Sequence, residues 1–229
     1  MTRVSEVLHE AGAAAWAAAV SHPMVVAIAD GSLPHATFHR YFTQNVLYLE
    51  EYARSIGMVV AKAPDRDAIV TLTRFQSHIV DTEIPANLSF LERLGGDRET
   101  VEGRGTMLPT TYAYTRHLLS TCAFGDCAEG LTAILPCQWS YGELARPLTA
   151  HPPADPIYAD WISLFGSDHY DELVNSTTAL LDRLVDVSDD ERMASLERIF
   201  ERSIRYEGGF WDMAYGSPHA GSPDEGGTP

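Results

Sequence analysis

Apolar residues recur at helical spacing along almost the whole chain, and proline or glycine interrupts the pattern at intervals. In the stretch 34–61, aromatic residues follow one another three and four positions apart, which predicts a long helix with one buried face. No stretch shows the alternation of apolar and polar residues that is typical of a half-buried strand. The sequence therefore predicts an all-α fold, built as a single-domain helical bundle.

The interruptions place the helix boundaries. We predict helices over residues 4–20, 34–61, 67–94, 110–120, 128–148, 156–165, 169–187 and 189–215. Pro85 lies inside the third of these and is expected to kink it, because proline has no N–H to donate within the helix. From Gly216 onward the composition changes to mainly Gly, Ser, Pro, Asp and Glu. Residues 1–215 are therefore predicted to form the helical domain, and residues 216–229 a disordered C-terminal tail.

The charge of the chain argues against two classes of partner. It has 32 acidic and 16 basic residues and a net charge of −16, whereas nucleic acid and anionic membrane surfaces call for a basic surface. We expect neither a membrane span nor a signal peptide, since no long apolar run or basic N-terminal region is present. Three cysteines without a CxxC pair favour a reduced, cytoplasmic environment.

One segment combines a thiol with a phenol on a predicted helix face. Cys137 and Tyr141 are four residues apart, so their side chains point to the same side of a helix. Pro136 is favoured in the first turn of a helix, which predicts that Cys137 lies near a helix N-terminus. The helix dipole would lower the pKa of a thiol there and make it more nucleophilic than Cys122 or Cys127. The alternative is a small apolar side chain in the core, the commoner role of a lone cysteine.

Polar and aromatic residues share faces in other predicted helices as well. Tyr41, Asn45 and Tyr48 lie on one face of the second predicted helix, and Glu207 precedes Trp211 by one turn in the last. Such a set fits a flat heteroaromatic ligand, held between rings and recognised along its edge by hydrogen bonds. An aromatic stripe is more often plain core, but each buried tyrosine hydroxyl would then need a partner.

Seven short motifs follow one another over nearly the whole chain, from about residue 3 to residue 216. They are His22-Pro23, Gly31-Ser32-Leu33-Pro34, Tyr41-Phe42-Thr43-Gln44-Asn45, Pro109-Thr110-Thr111-Tyr112-Ala113-Tyr114-Thr115, Leu135-Pro136-Cys137-Gln138-Trp139, Pro156-Ile157-Tyr158, and Tyr206-Glu207 with Phe210-Trp211-Asp212-Met213-Ala214-Tyr215. In this order they resemble the thiaminase II (TenA-like) family of the haem-oxygenase-like all-α superfamily.

The resemblance implies a cofactor-free hydrolase with a small-molecule substrate, assembled as a homotetramer. Enzymes of this family hydrolyse the exocyclic C–N bond of an aminomethyl-aminopyrimidine, or more slowly of thiamin, to release a hydroxymethylpyrimidine. Cys137 falls at the family's nucleophile, which adds to the pyrimidine ring, and Glu207 falls at its general acid/base. Tyr141 falls at the phenol beside the thiol, whereas Tyr48 and Tyr114 fall at residues that contact the ligand.

Two positions depart from the family pattern. Asn45 stands where the family has an aspartate that holds the edge of the aminopyrimidine, and Phe165 stands where it usually has a tyrosine. Loss of a charge-assisted hydrogen bond costs on the order of 1.5–3 kcal/mol. Two alternatives therefore remain beside thiamin salvage. One is the same mechanism on a different heteroaromatic amine, and the other is a non-catalytic protein that binds a small molecule.

No metal site is predicted. A di-iron site in a helical bundle needs carboxylates and histidines three or four residues apart on at least two helices. Of the nine histidines, only His9 follows an acidic residue, Glu6, at such a spacing. His35 and His39 are four residues apart but have no carboxylate at ligand spacing.

Overall fold

The computed structural model describes residues 2–216, and within that range the chain is helical without a strand. The helices are α1 (Val4–Ala11), α2 (Ala13–Val20), α3 (Pro23–Ala29), α4 (His35–Val60), α5 (Arg66–His78), α6 (Ile84–Arg93), α7 (Arg98–Arg104), α8 (Pro109–Phe124), α9 (Cys127–Ala145), α10 (Pro156–Phe165), α11 (Asp168–Leu184) and α12 (Asp190–Tyr215). A π-helix, Ile79–Glu83, joins α5 to α6, and a 3₁₀-helix, Arg146–Ala150, follows α9. The all-α prediction is confirmed. Apart from Gly216, the predicted tail lies outside the described residues.

Several predicted boundaries were wrong. The first predicted helix is two helices, separated at Gly12, where a Cβ would come within 3.2 Å of the Phe200 ring. Pro85 lies in the first turn of α6, where its missing N–H costs no hydrogen bond. Instead of a kink at Pro85 within one helix, the structure has a π-helix just before α6. Helices α3 and α7 were not predicted, because seven residues are too few to show a helical period.

The prediction that Cys137 lies near a helix N-terminus was also wrong. Helix α9 begins at Cys127. The Asp126 carboxylate accepts a hydrogen bond from the backbone N–H of Glu129, and the Glu129 carboxylate accepts one from the backbone N–H of Asp126. Pro136 and Cys137 are thus the tenth and eleventh residues of the helix. A proline there leaves the carbonyl of Thr132 without its usual helical donor, at a cost of about 3 kcal/mol.

Helix α9 tolerates this proline at the centre of the bundle. Fifteen of its 19 residues are buried, because α4, α8, α11 and α12 enclose it. Helix α4 is the second central element and packs against α5, α6, α8 and α9. The faces of α4, α8, α9 and α12 therefore meet in a common interior, and the candidate site residues lie there.

Within residues 2–216, no single helix is long and apolar enough to cross a membrane. The segments Val4–Ala11 and Ala13–Ala29 are together long and apolar enough to do so, but they are bent by 76° relative to each other.

The closeness of α4 and α9 depends on Gly130. A Cβ at this position would come within 2.6 Å of Cγ2 of Val59. We expect Gly130→Ala to lower the free energy of unfolding by about 1–3 kcal/mol, since an extra methyl group overfills a packed contact. Chemical denaturation measures the change. Gly208→Ala in α12 is the matched control: a Cβ there meets no atom within 4 Å, so helix propensity should stabilise it by up to about 1 kcal/mol. Equal effects of the two substitutions would contradict this account.

Candidate active site

Glu207 is a buried carboxyl at the centre of the bundle. It lies on α12, is 2% exposed, and its Oε1 accepts a hydrogen bond of 2.5 Å from the hydroxyl of Tyr114 on α8. Burial raises the pKa of Glu207 to about 7, although the hydrogen bonds from Tyr114 and from the Cys137 thiol oppose the rise. A carboxyl that titrates near neutral pH is suited to take up a proton and to return it.

Cys137 projects from α9 into the same interior. The protein surrounds it deeply, yet it keeps some accessible surface, whereas Cys122 and Cys127 are buried. Burial raises the pKa of the Cys137 thiol well above its ordinary value, the Glu207 carboxylate raises this pKa further, and the Tyr48 hydroxyl acts in the opposite direction. The predicted lowering of this pKa was wrong, because the thiol is ten residues away from the start of its helix and burial dominates.

The two groups together provide a way to form a nucleophile. At neutral pH the thiol is protonated, and a thiolate forms only if a neighbouring base removes the proton. Glu207 is close enough to Cys137 for each group to shift the pKa of the other. Because Glu207 titrates near pH 7, its ionised form is available to accept the thiol proton at neutral pH.

Aromatic rings form the walls of this interior. Trp211 stacks on both Tyr41 and Tyr141, with ring centroids 5.3 Å apart in each pair. The hydroxyls of Tyr41 and Tyr141 are 3.0 Å apart and hydrogen-bonded. Phe165 packs edge-on against Tyr141 at 4.9 Å, so it contributes a wall and no hydrogen bond. Such walls match a flat aromatic ligand.

Some polar groups in the interior lack a partner. The hydroxyl of Tyr48 and the indole N–H of Trp161 are buried and form no hydrogen bond of normal geometry among the described residues, although they lie near the Cys137 thiol and the Tyr41 hydroxyl, respectively. The Tyr48 ring lies 5.0 Å from that of Tyr114, which binds Glu207. Buried polar groups are nearly always hydrogen-bonded, so these two point to a ligand or water in the site.

Asn45 lies on α4 between Tyr41 and Tyr48 on the same helix face. It is 5% exposed, and its side-chain amide donates a hydrogen bond of 2.8 Å to Oδ1 of Asn87 on α6. Sequence reasoning missed Asn87. The available signal was its position four residues after Glu83 in a stretch of apolar residues, which places two polar groups on one face of a buried helix.

The structure thus brings the predicted residues to one interior. Tyr114 is hydrogen-bonded to Glu207, and both Glu207 and Tyr48 shift the pKa of Cys137. Tyr141 is hydrogen-bonded to Tyr41, whose own pKa is affected by Cys137 and Glu207. Phe165 packs against the ring of Tyr141, and Asn45 lies on the face of α4 that also carries Tyr41 and Tyr48. The catalytic roles assigned to Cys137 and Glu207 remain predictions.

Within residues 2–216, no three His, Cys, Asp or Glu side chains lie close enough to hold a metal ion. Glu6 is paired with Arg3, and His9 packs against the ring of Trp16. A surface depression of about 800 Å³ lies between α5 and α11 and is lined by His78 and His169 among others. It contains no nucleophilic cysteine and does not include Cys137 or Glu207, so we place the site at the buried cluster.

A family model described as the TENA/THI-4/PQQC family matches residues 9–217. The chain belongs to this family. It is similar to a Halalkalibacterium halodurans protein named aminopyrimidine aminohydrolase, with 34% identity over 210 residues, 91% of this chain and 93% of that protein. It is also similar to the solved structure of a TenA homologue from P. horikoshii, with a TM-score of 0.85 and 27% identity over 93% of this chain and 99% of that one.

The fold has relatives beyond this family. A Shewanella denitrificans domain described as having a heme oxygenase-like fold superposes with a TM-score of 0.70. It is 17% identical, and the match covers 91% of this chain and 90% of that one. The predicted haem-oxygenase-like fold is confirmed.

The raised pKa of Glu207 makes folding stability depend on pH. The pKa is about 7 in the folded protein, against an ordinary value of 4.5 for a glutamate side chain. The carboxyl therefore contributes its full stabilisation below pH 4.5 and loses it as the pH rises through 7. Relative to Glu207→Gln, we expect the wild-type protein to lose about 2–3 kcal/mol of unfolding free energy between pH 5 and pH 8.

Chemical denaturation at both pH values measures this loss. Glu201→Gln is the matched control, because Glu201 lies on the same helix but is exposed and pairs with Arg205. It should show no comparable dependence on pH. An equal change in unfolding free energy between pH 5 and pH 8 in the wild-type protein and in Glu207→Gln would contradict a Glu207 pKa near 7.

Proposed function

We propose that this protein hydrolyses the exocyclic C–N bond of an aminomethyl-aminopyrimidine, or more slowly of thiamin, to give a hydroxymethylpyrimidine in thiamin salvage. The observation that carries the proposal is the pairing of the Cys137 thiol with a carboxyl that titrates near neutral pH, Glu207. The aminopyrimidine aminohydrolase among its relatives supports the same activity.

The reaction uses one proton that moves between two groups. Glu207 accepts the proton of the Cys137 thiol, and the thiolate forms a C–S bond with a ring carbon of the pyrimidine, which becomes a transient enamine. The enamine expels the exocyclic amine, which leaves as ammonia with the proton that Glu207 held. Water then adds at the exocyclic carbon, the C–S bond breaks, and the thiol regains a proton. One water is consumed and one ammonia is released per turnover.

The surrounding residues orient the ring for this attack. Trp211 stacks on Tyr41 and Tyr141, and these rings form flat apolar walls. The Tyr48 hydroxyl lies near the Cys137 thiol and forms no hydrogen bond of normal geometry among the described residues, so it is available to bond to the ligand. Because the site is buried, each hydrogen bond and charge in it acts in a medium of low dielectric.

Two observations keep a second enzymatic function open. Asn45 replaces a charged aspartate of the family pattern, and Phe165 replaces a hydroxyl-bearing ring. Both changes alter the hydrogen bonds that the site offers, so they favour the same mechanism on a different heteroaromatic amine. The presence of both Cys137 and Glu207 in one site speaks against a non-catalytic binding protein.

Ammonia release from 4-amino-5-aminomethyl-2-methylpyrimidine tests the proposal. We expect wild-type turnover and a loss of at least about a hundredfold in Cys137→Ser and in Glu207→Gln, since each removes a group of the proton-transfer pair. Cys122→Ser, a buried thiol away from the site, should keep wild-type activity. The value of kcat/KM should fall as the pH drops through about 7, because protonated Glu207 cannot accept the thiol proton.

Two outcomes separate the alternatives. Wild-type protein without turnover on this compound, but with Cys137-dependent turnover of another aromatic amine, would favour the second enzymatic function. Tight binding of hydroxymethylpyrimidine that Cys137→Ser leaves intact, with no turnover of any amine, would favour a binding protein.

We also propose that the protein is a cytoplasmic homotetramer. The resemblance to the thiaminase II family supports the assembly, and exposed Ile69, Val70 and Val80 provide apolar surface for contact between subunits. The three free cysteines are in keeping with a reducing compartment. Sedimentation velocity should give a mass four times that of the chain, and a monomer at micromolar concentration would contradict the assembly.

A further inference from the structure

A chain of two amides ties the ligand-facing helix α4 to the start of α6. The Nδ2 of Asn45 donates to Oδ1 of Asn87 at 2.8 Å, and the Nδ2 of Asn87 donates to the backbone carbonyl of Glu83 at 2.8 Å. Asn87 is fully buried and Asn45 is 5% exposed, so water does not compete for these bonds. The two asparagines are 42 residues apart in sequence.

The orientation of both amides follows from donor and acceptor chemistry. A backbone carbonyl can only accept, so the atom of Asn87 that faces Glu83 must be its NH₂ group. The carbonyl oxygen of Asn87 is therefore the atom that faces Asn45. An oxygen facing Asn45 requires a donor from it, so Asn45 must turn its NH₂ group toward Asn87.

The remaining polar atom of Asn45 is its carbonyl oxygen. It accepts no hydrogen bond from the described residues, and it keeps some accessible surface. Asn45 shares its face of α4 with Tyr41, which binds Tyr141, and with Tyr48, which interacts with Cys137. Asn45 therefore lies on the face of α4 whose tyrosines reach the interior of Cys137 and Glu207, and its oxygen is the atom left to bond to a ligand there.

We propose that Asn87 is a positioning residue that locks Asn45 as a neutral hydrogen-bond acceptor toward the substrate. The site then selects heteroaromatic rings with an N–H donor at that edge, such as an exocyclic amino group, and rejects rings with an acceptor there. This inference rests on the proposed function, because it takes the pyrimidine to bind beside Cys137.

The same geometry changes the expected effect of a carboxylate at position 45. In Asn45→Asp, a carboxylate oxygen would lie about 2.8 Å from the carbonyl oxygen of Asn87, which is repulsive. The introduced carboxyl must therefore hold a proton or give up its contact with Asn87. Restoring the family aspartate alone gains no affinity for an aminopyrimidine while Asn87 is present, and it gains affinity in an Asn87→Leu background.

Calorimetric binding of two ligands tests the inference without turnover. The ligands are 4-amino-5-hydroxymethyl-2-methylpyrimidine and its 4-methoxy analogue, which has an acceptor in place of the amino donor and no ring N–H. We expect the wild-type protein to prefer the 4-amino ligand by about tenfold or more. In Asn87→Leu the ratio of the two affinities should fall several-fold, because the released amide of Asn45 can turn its NH₂ group toward the methoxy oxygen.

Asn87→Asp is the conservative variant. In either protonation state it offers an oxygen to the Asn45 amide, so it should keep the wild-type preference even if it unfolds more easily. Asn87→Ala is measured beside Asn87→Leu, so failure of one variant to fold leaves the test standing. Asn175→Leu, an exposed position on α11, should leave the ratio unchanged.

The outcomes distinguish this inference from the proposed function. A wild-type protein that prefers the 4-amino ligand but releases no ammonia from the aminomethyl compound would refute the proposed function and leave the inference standing. Equal affinity of the wild-type protein for the two ligands would overturn the inference, as would an unchanged preference in Asn87→Leu and Asn87→Ala. Failure of the wild-type protein to bind either ligand would overturn both.

Discussion

The hydrogen bond from Tyr114 to Glu207 holds a titratable carboxyl at the centre of an apolar bundle, and the chemistry of the site depends on that burial. In water a glutamate is ionised at neutral pH and is a poor proton carrier. Enclosed by α4, α8, α9 and α12, it titrates near 7. The same enclosure raises the pKa of Cys137, so the thiol is protonated at neutral pH. One physical effect, desolvation, therefore raises the pKa of both groups: it makes Glu207 a stronger base and keeps the Cys137 thiol protonated.

The central helix α9 provides the frame for this pair. Most of its residues are buried, and Gly130 lets it approach α4 closely. Pro136 weakens the helix one residue before Cys137. The hydroxyl of Tyr52 on α4 donates to the carbonyl of Ile134 in the same turn, which ties the weakened stretch to its neighbour. Packing against other helices, more than intrinsic helix propensity, thus keeps Cys137 in place.

The proposed role of the two asparagines would let the site lose a charge and keep its recognition of a ligand edge. An aspartate can accept hydrogen bonds in any orientation, whereas an amide must be turned the right way. In this proposal Asn87 supplies that orientation through its bond to the carbonyl of Glu83, the last residue of the π-helix. A neutral acceptor also avoids placing a further negative charge in an interior that already contains Glu207.

The sequence by itself determined the all-α class and most of the long helices, because a helical period and its proline and glycine interruptions are local properties. It also determined the family, since the ordered motifs extend over nearly the whole chain. Cys137 and Glu207 stand within them, and Tyr141 comes two residues after the motif that contains Cys137. Only the tertiary structure decided the protonation state of Cys137. The position of Pro136 in the sequence does not show that four other helices bury the thiol. The tertiary structure alone decided the pairing of Asn45 with Asn87, since that contact joins residues 42 positions apart and a hydrogen bond between distant segments leaves no periodic signal in the sequence.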